Sequence, residues 1–532
     1  MSDFHLFDSN CVVGRHLKWA PGQPCCVNEL LAEMDHYGID EALIVDCLGR
    51  ENHPADGNVR VLEAASASPR IHPAWSALPH GPDDEQPRPD VFLDEMRRNK
   101  VGAVFLYPNQ FRFSLSDWCV DEFLEPLAEA RVPVVINPVE IGPRILHSAD
   151  GTDWDAVVSL CRRLPDLPVI VSERRIRRSQ RMLYKAFDAC ENLHVDLSGY
   201  WLHRGIEFIA RRWGPNRMIF GTNWPTFGPH MTLATLACAD ISDEDKQLIG
   251  GGNMRRLIRW CEPEHPEIES APPADEFVHL GRTGRGPQDM IFHDCHGHLG
   301  PHSAHYHLPD CASLGSIVAD MDRLSVSKVC VFSFTGVFSD ERPGNDIVAE
   351  AVRLYPDRFL GFTMLNPHRG PEVMLRELER GHAMGLRGVK LIPYYQGYPE
   401  EGPNIDVACQ WADEHGQFIL NHHWGSPEQV ERLVRTYPNA CFIAGHTTTA
   451  YSEIMKRYEN LYVCSCPLIG PRTCVEVVEA IGADRFLFGS DLEDLPIAWG
   501  LGPILFAHIS PEEKRLILGE NLRRLLDRYS RS

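Results

Sequence analysis

The chain of 532 residues is too long for one ordinary hydrophobic core and long enough for two. Its hydrophobic fraction of 43% and charged fraction of 24% are globular values, and no apolar run approaches the roughly 20 residues that cross a bilayer. A formal net charge of −22 repels phosphate backbones and anionic headgroups, which argues against nucleic acid and membrane as partners and leaves small molecules.

The opening residues, Met1-Ser2-Asp3-Phe4-His5, carry neither a basic nor an apolar leader segment, and the 17 cysteines lack the paired spacings of a secreted scaffold. Free thiols in a reducing cytoplasm are expected. Strands are expected near Phe4, Glu41, Ile71, Gly102, Pro133, Pro168, Leu193 and Met218, separated by amphipathic segments. After the sixth of these, Ser172-Glu-Arg-Arg-Ile-Arg-Arg-Ser-Gln-Arg181 is an unusually basic run in an acidic chain. Proline and glycine then concentrate in Glu262-Pro-Glu-His-Pro266, Ala271-Pro-Pro-Ala274 and Gly281-Arg-Thr-Gly-Arg-Gly286, which reads as a linker over 261–289 between domains at 1–260 and 290–532.

Beyond the linker, apolar β-rich runs recur at Met290 to His296, Lys328 to Phe334, Phe359 to Leu365, Gly388 to Pro393, Gln417 to His422, Cys441 to Gly445, Leu461 to Cys464 and Arg485 to Gly489. Helical segments such as Glu372 to Met384 and Pro427 to Tyr437 lie between them. Continuous apolar strands alternating with helices indicate a parallel sheet covered on both faces, and eight such units suit a (β/α)8 barrel. The two halves also align. Asp294 falls on Asp8 and Gly300 on Gly14; Arg485-Phe-Leu-Phe-Gly-Ser-Asp491 falls on Arg217-Met-Ile-Phe-Gly-Thr-Asn223. Gly519-Glu-Asn-Leu-Arg-Arg-Leu525 falls likewise on Gly251-Gly-Asn-Met-Arg-Arg-Leu257. The expected fold is α/β, two tandem (β/α)8 barrels.

Active sites of this fold gather at the C-terminal ends of the strands. In the second half strand 1 ends in His296-Gly-His298, and alternation along a strand puts both imidazoles on one side, able to chelate one divalent ion. Strand 5 ends in His422 with His423 after it, strand 6 in His446, and strand 8 in Ser490-Asp491. Imidazoles with one carboxylate suit zinc first, then manganese or iron. Lys390, inside strand 4, has three readings: a substrate contact, a metal ligand if carboxylated, or one half of a structural ion pair. Tyr394, Tyr395, Tyr398 and Trp424 follow strands 4 and 5 and are candidates to line a flat substrate pocket, whereas His302, His305 and His307 read as loop residues or hydrogen-bond donors. In the first half Asn10 and Val12 stand where His296 and His298 stand, and Pro138, Glu173 and Asn223 replace His422, His446 and Asp491. That barrel is expected to bind no metal in this manner and to serve as scaffold.

The H-x-H on strand 1, the histidines after strands 5 and 6, and the Gly-Ser-Asp after strand 8 together resemble the amidohydrolase-related family. That family includes aminocarboxymuconate-semialdehyde, γ-resorcylate and isoorotate decarboxylases beside lactonases and other hydrolases. The resemblance covers the whole second half and makes the first a degenerate copy. It implies that His296, His298, His422 and Asp491 ligate the metal and that His446 is a general acid/base or an extra ligand. Hydrolysis by a metal-activated water, with Asp491 or His446 taking its proton, is the first expectation because Asp294 to Ser530 is compact; nonoxidative decarboxylation with the same residues is the alternative. Members often dimerise, some placing a neighbour's arginine on the substrate carboxylate. By that resemblance the barrels form an internal pseudo-dimer, itself able to oligomerise, in which Arg174, Arg175, Arg177, Arg178 or Arg181 assists an anionic substrate.

Overall fold

Short runs, most of them dominated by Val, Ile, Leu and Phe, build sixteen parallel strands among the described residues, eight in each half. The first half contributes β1 (Phe7–Val13), β2 (Glu41–Asp46), β3 (Ile71–Ala77), β4 (Ala103–Leu106), β5 (Val134–Ile136), β6 (Val169–Val171), β7 (Leu193–Asp196) and β8 (Met218–Ile219). The second contributes β9 (Phe292–Leu299), β10 (Val326–Ser333), β11 (Phe359–Met364), β12 (Gly388–Leu391), β13 (Phe418–Asn421), β14 (Cys441–Ala444), β15 (Leu461–Cys464) and β16 (Phe486–Leu487). Neighbours pair in sequence order within each set, as the barrel expectation requires. The computed structural model describes residues 4–18, 22–81, 85–139, 151–176, 179–266, 268, 271–287, 289–303, 308 and 312–529. Arg177, Arg178, His305 and His307 lie outside them. No helix among the described residues is long and apolar enough to cross a membrane.

Contacts divide the chain into two units, Met1–Ala274 with Gly281–Gly284, and Asp275–Leu280 with Arg285–Ser532. The stretch read from composition as a linker therefore contains ordered structure. Asp275 accepts the amides of Phe277 and Val278 and starts a helix over Glu276–Thr283, whose Phe277 and Val278 are each 1% exposed.

Helices follow the strands where the local chemistry starts them. Ser426 caps Pro427–Thr436 by accepting the amide of Gln429, with proline in the first turn, and Ser510 with Glu513 forms a capping box before Pro511–Arg515. The barrel interiors are filled by strand side chains. Val45, Phe105 and Ile170 lie in the first core, while Phe332, Phe362, Leu420 and Ile443 pack in the second around the thiols of Cys295, Cys330, Cys441, Cys464 and Cys466.

Both barrels close by one device. In the second, Cys295 N donates to Phe488 O (2.9 Å) and His298 N to Leu492 O (2.9 Å), joining strand 1 to the chain after strand 8. Asp294, fully buried, accepts His296 N at 2.9 Å, Ser490 N at 3.1 Å and the Ser490 hydroxyl. In the first, Ser9 N donates to Phe220 O (3.0 Å) and Val12 N to Trp224 O (2.8 Å). Asp8 accepts Asn10 N at 3.1 Å, Thr222 N at 3.0 Å and the Thr222 hydroxyl at 2.6 Å. Each latch adjoins a bulge, since β1 spends three residues from Asp8 to Cys11 against two of β2, and β9 three from Asp294 to Gly297 against two of β10. Asp491 and Asn223 both adopt the left-handed region, at φ 61° and 56°, which Asp and Asn tolerate better than most residues. The duplication is thus legible in the backbone and not only in the side chains.

Candidate metal centre

At the mouth of the second barrel β9 runs through both histidines to Leu299, so His296 and His298 are strand residues, as a strand ending in His296-Gly-His298 requires. The bulge turns Cys295 into the core and leaves the two imidazoles on either side of Gly297. Both meet Asp491. His298 Nε2 lies 2.9 Å and His296 Nε2 3.5 Å from Asp491 Oδ1. The carboxylate is held there because Asp491 N donates to His296 O at 2.9 Å. His296 Nδ1 is 3.7 Å from the Cys464 sulfur, which leaves Nε2 as the nitrogen facing the cluster. His298 stacks on Phe334 with centroids 4.1 Å apart. A side chain at Gly489 has no room, since its Cβ would lie 2.9 Å from His296 Cβ and 2.3 Å from Cys464 Sγ.

One potential ligand atom from each of His296, His298 and Asp491 falls within 4.8 Å of the others, the spacing of groups around one ion. His422, His423 and His446 form a second such group. His422 thus stands with the other two strand-5 and strand-6 histidines; its ring centroid is 3.6 Å from that of His446. His423, read from sequence only as the residue after a ligand, is the third member.

Burial shapes the electrostatics. It holds His296 and His422 well below the usual imidazole range and His446 down to about 4, so these rings are neutral and their lone pairs free near neutral pH. Burial would raise Asp491, but the hydrogen bond and charge of His298 and the charges of His296 and His446 outweigh it and keep the carboxylate well below its ordinary value. Lys390 is fully buried on β12, its Nζ has no hydrogen-bond partner, and it sits 4.1 Å over the Phe332 ring. Burial lowers its ammonium to about 7, against the attraction of Asp491. Among the described residues no carboxylate lies within ion-pairing distance of Lys390, which speaks against the ion-pair reading. Neutral imidazoles, an ionised carboxylate and an orphaned amine at one barrel mouth are a donor set that fits a divalent cation.

Of the aromatic candidates, Tyr394 is 65% exposed and edge-on to His423 (6.0 Å), and Tyr395 lies 5.0 Å from His422 and 5.8 Å from Phe338. Tyr398 packs on His368, 5.1 Å away. Trp424 does not line the mouth. It is 1% exposed, packs on Phe442 and donates Nε1 to Ile443 O at 2.9 Å, so it anchors the turn after β13 instead. His302 packs edge-on against Phe334 and Phe338. Sequence reading missed Glu493, two residues after Asp491, at φ 71°, with burial raising its carboxyl to about 8 and one oxygen unpartnered. The acidic run Asp491-Leu-Glu-Asp494 was the only signal for it.

In the first barrel two of the corresponding positions, Asn10 and Glu173, are engaged by other polar groups. Asn10 Nδ2 donates to Ser172 Oγ (2.9 Å) and Asp196 Oδ2 (2.8 Å), while Glu173 accepts Ser179 Oγ (2.7 Å) and Thr152 N (3.1 Å). Arg174 and Arg175 are exposed on the turn after β6, Arg174 lying 5.7 Å over the Phe227 ring. A group spaced for a metal does occur in this unit, His5, Glu41 and His265, at the opposite end of the strands. Its carboxylate is already taken, since Glu41 accepts His5 Nε2 and His72 Nε2 at 2.7 Å each and is ion-paired with Arg255.

Burial raises Asp196 to about 6 despite its bonds from Ser198 N and Asn10. The folded state therefore holds this proton more tightly than the unfolded chain. Its contribution is fully present below about pH 4 and is lost as pH rises through about 6, a change of about 3 kcal/mol. Chemical denaturation between pH 4 and 7 is expected to show this decline in the transition of the first barrel, and Asp196→Asn is expected to flatten it.

Two eight-stranded α/β barrels, one bearing imidazoles, a carboxylate and an amine at the C-terminal mouth of its strands, define a tandem barrel enzyme with one equipped site. The chain belongs to the amidohydrolase family, whose pattern it matches over residues 58–260 and again over 294–528. It is a hydrolase or decarboxylase of that family. No curated protein matches it. Among solved structures it is similar to an uncharacterised TIM-barrel protein from Bordetella bronchiseptica, at 16% identity over 46% of this chain and 100% of that one, with a TM-score of 0.38. A 2,6-dihydroxybenzoate decarboxylase from Rhizobium is 17% identical over 44% of this chain and 98% of its own, with a TM-score of 0.35. A 5-carboxyvanillate decarboxylase from Sphingomonas paucimobilis is 15% identical over 44% and 99%, with a TM-score of 0.34.

Proposed function

We propose that the second barrel is a metal-dependent hydrolase of a small anionic or cyclic substrate. The observation that carries this reading is the convergence of His296, His298 and Asp491 within 4.8 Å beside an orphaned, buried amine. These three residues would hold one divalent ion, zinc first and manganese or iron next, with His422 as fourth ligand in a one-ion centre. Such an ion, when bound, lowers the pKa of water and polarises a substrate oxygen. The remaining steps belong to the side chains. His446, kept neutral by burial and close enough to feel the charge of Asp491, accepts the proton of the attacking water. The Lys390 amine, charged when an anion meets it, holds the acidic end of the substrate, and Tyr394 and Tyr395 flank a flat ring. That exposed aromatic rim favours a second reading, decarboxylation of an aromatic or unsaturated carboxylate by the same residues.

Turnover in 18O-labelled water separates the two. Hydrolysis puts the label into a product carboxylate; decarboxylation releases carbon dioxide and takes up a solvent proton at carbon. Failure to turn over lactones, amides or aromatic carboxylates with any of the three metals would reject both. Lys390→Met is expected to raise KM for an anionic substrate by about 10- to 100-fold, the loss of one charge-assisted hydrogen bond, and to leave a neutral analogue unaffected in steady-state kinetics.

A further inference from the structure

We propose that the N-terminal end of the second barrel holds a small anion, a carboxylate or a phosphate, on His293, Lys328 and Arg523. The site lies at the far end of the strands from the metal centre and does not depend on the function proposed above.

The first barrel shows how this end of the fold is completed. Glu41, 0% exposed at the start of β2, accepts His5 Nε2 and His72 Nε2 and is ion-paired with Arg255. The second barrel keeps the backbone of that arrangement. A Cβ on Gly251 would stand 2.5 Å from His5 O, and one on Gly519 2.5 Å from Ile291 O. Asn253 donates to Pro215 O and Met218 O, as Asn521 does to Ala483 O and Phe486 O. Arg523, two residues after Asn521, therefore stands where Arg255 stands. One residue before the latch aspartate, Phe7 pairs with Glu41 in the first barrel and His293 with Lys328 in the second.

The charge at these positions is inverted. The arginine is retained, the buried carboxylate gives way to an ammonium, and the phenyl ring beside it to an imidazole. His293 is 8% exposed and its Nδ1 has no hydrogen-bond partner, a cost that a finished packing contact does not ordinarily carry. Burial, with the charges of Arg523 and Lys328, holds this imidazole down to about 4, so both cations are close enough to act on it. Lys328 Nζ donates to Pro356 O at 3.3 Å and has further protons to give. Arg523 meets Asp527 at 4.0 Å along the C-terminal helix Asn521–Tyr529, in a pair more than half exposed that water screens.

A cavity of about 290 Å³ opens here, lined by His293 and Arg523 and walled by the apolar Phe277, Phe292 and Leu518. Of its acids, Glu276 is ion-paired with Arg515, and Asp289 and Glu520 are exposed to solvent. The volume is at the small end of ligand pockets. An anion in it takes the place that the Glu41 carboxylate fills in the first barrel, with the guanidinium fork of Arg523 matched to two of its oxygens. It also ties β9 and β10 to the C-terminal helix, so its binding stabilises the folded barrel.

The test is calorimetric titration and thermal unfolding of the full chain with benzoate and with inorganic phosphate. Wild type is expected to saturate and to melt at a higher temperature with anion present. Arg523→Met is expected to raise the dissociation constant by about 10- to 100-fold, the loss of a charge-assisted hydrogen bond. Lys328→Glu supplies the carboxylate that the first barrel has, and is expected to abolish binding and raise the melting temperature of the anion-free protein. Arg523 is exposed, so its replacement leaves the packing in place and carries the test should Lys328→Glu fail to fold. Lys390→Met, at the mouth, is expected to keep the binding event. Tighter benzoate marks an organic carboxylate as the ligand, tighter phosphate a phosphate ester. Binding retained by both Arg523→Met and Lys328→Glu but lost by Lys390→Met places the anion at the mouth and overturns the proposal, as does the absence of saturable binding of either probe to wild type.

Discussion

Replacing His296 and His298 together by alanine is expected to reduce turnover by on the order of a thousand-fold or more, with the overall fold retained. The size follows from what the ion supplies, several kcal/mol of stabilisation where charge develops, at 1.36 kcal/mol for each tenfold in rate. Both Nε2 atoms face the Asp491 carboxylate, so removing them takes two of three ligands from one place and leaves a buried carboxylate without its partners. Steady-state kinetics beside elemental analysis checks the result. Metal and activity should fall together; full activity in the double variant would remove this mouth from the chemistry. The parallel change Asn10→Ala in the first barrel breaks a bond to Ser172 and one to Asp196 and is expected to alter stability only.

Breaking the closing latch is expected to be the most destabilising single change at either mouth. Asp294→Ala strands His296 N, Ser490 N and the Ser490 hydroxyl in the interior, for a loss on the order of 4 kcal/mol, part of the gross cost being offset because a buried carboxyl disappears with them. Asp8→Ala strands the equivalent groups of Asn10 and Thr222 and should cost the first barrel a similar amount. The two variants part on metal. Asp294 holds the backbone on which His296 and Asp491 are mounted, so its loss should weaken the ion by about 10- to 100-fold, whereas Asp8→Ala should leave affinity unchanged. Thermal unfolding and metal titration of both variants read the two effects separately. Equal metal affinity in all three proteins would make the latch a purely architectural part.

Most of the architecture could be read from sequence because most strands are runs of apolar residues beginning where a parallel barrel needs them. The seven starts from Glu41 to Met218 and the eight from Phe292 to Phe486 lie within a few residues of expectation. What could not be read depends on departures from regular geometry. A bulge leaves no mark in hydrophobic periodicity, so the irregular register of β9 between Asp294 and Gly297 went unforeseen. The pairing of His423 with His446 depends on a strand ending one residue before His422, and alternation would have put His423 on the far side. Trp424, two residues after a candidate ligand, looked like a pocket wall, yet the turn packs it against Phe442 and ties it to Ile443 O on β14. In the supposed linker, proline and glycine masked a helix whose start, Asp275 ahead of Phe277 and Val278, was a legible cap. Lys390 was placed on the right strand, but that no described carboxylate pairs with it is a property of the assembled interior.

The five thiols packed inside the second barrel carry a consequence for experiment. Burial pushes Cys295, Cys330, Cys441 and Cys466 up from the ordinary thiol range, so none offers a reactive thiolate while the barrel is closed. An alkylating reagent can reach them only during an opening that parts the strands. Their labelling rate is therefore a clock for such openings, and mass spectrometry of each cysteine would tell which seam parts first. Cys295, at the seam that Asp294 fastens, and Cys441, on β14 five strands further along the chain, would start that clock at different moments if the barrel unzips from its latch, and together if it opens as one.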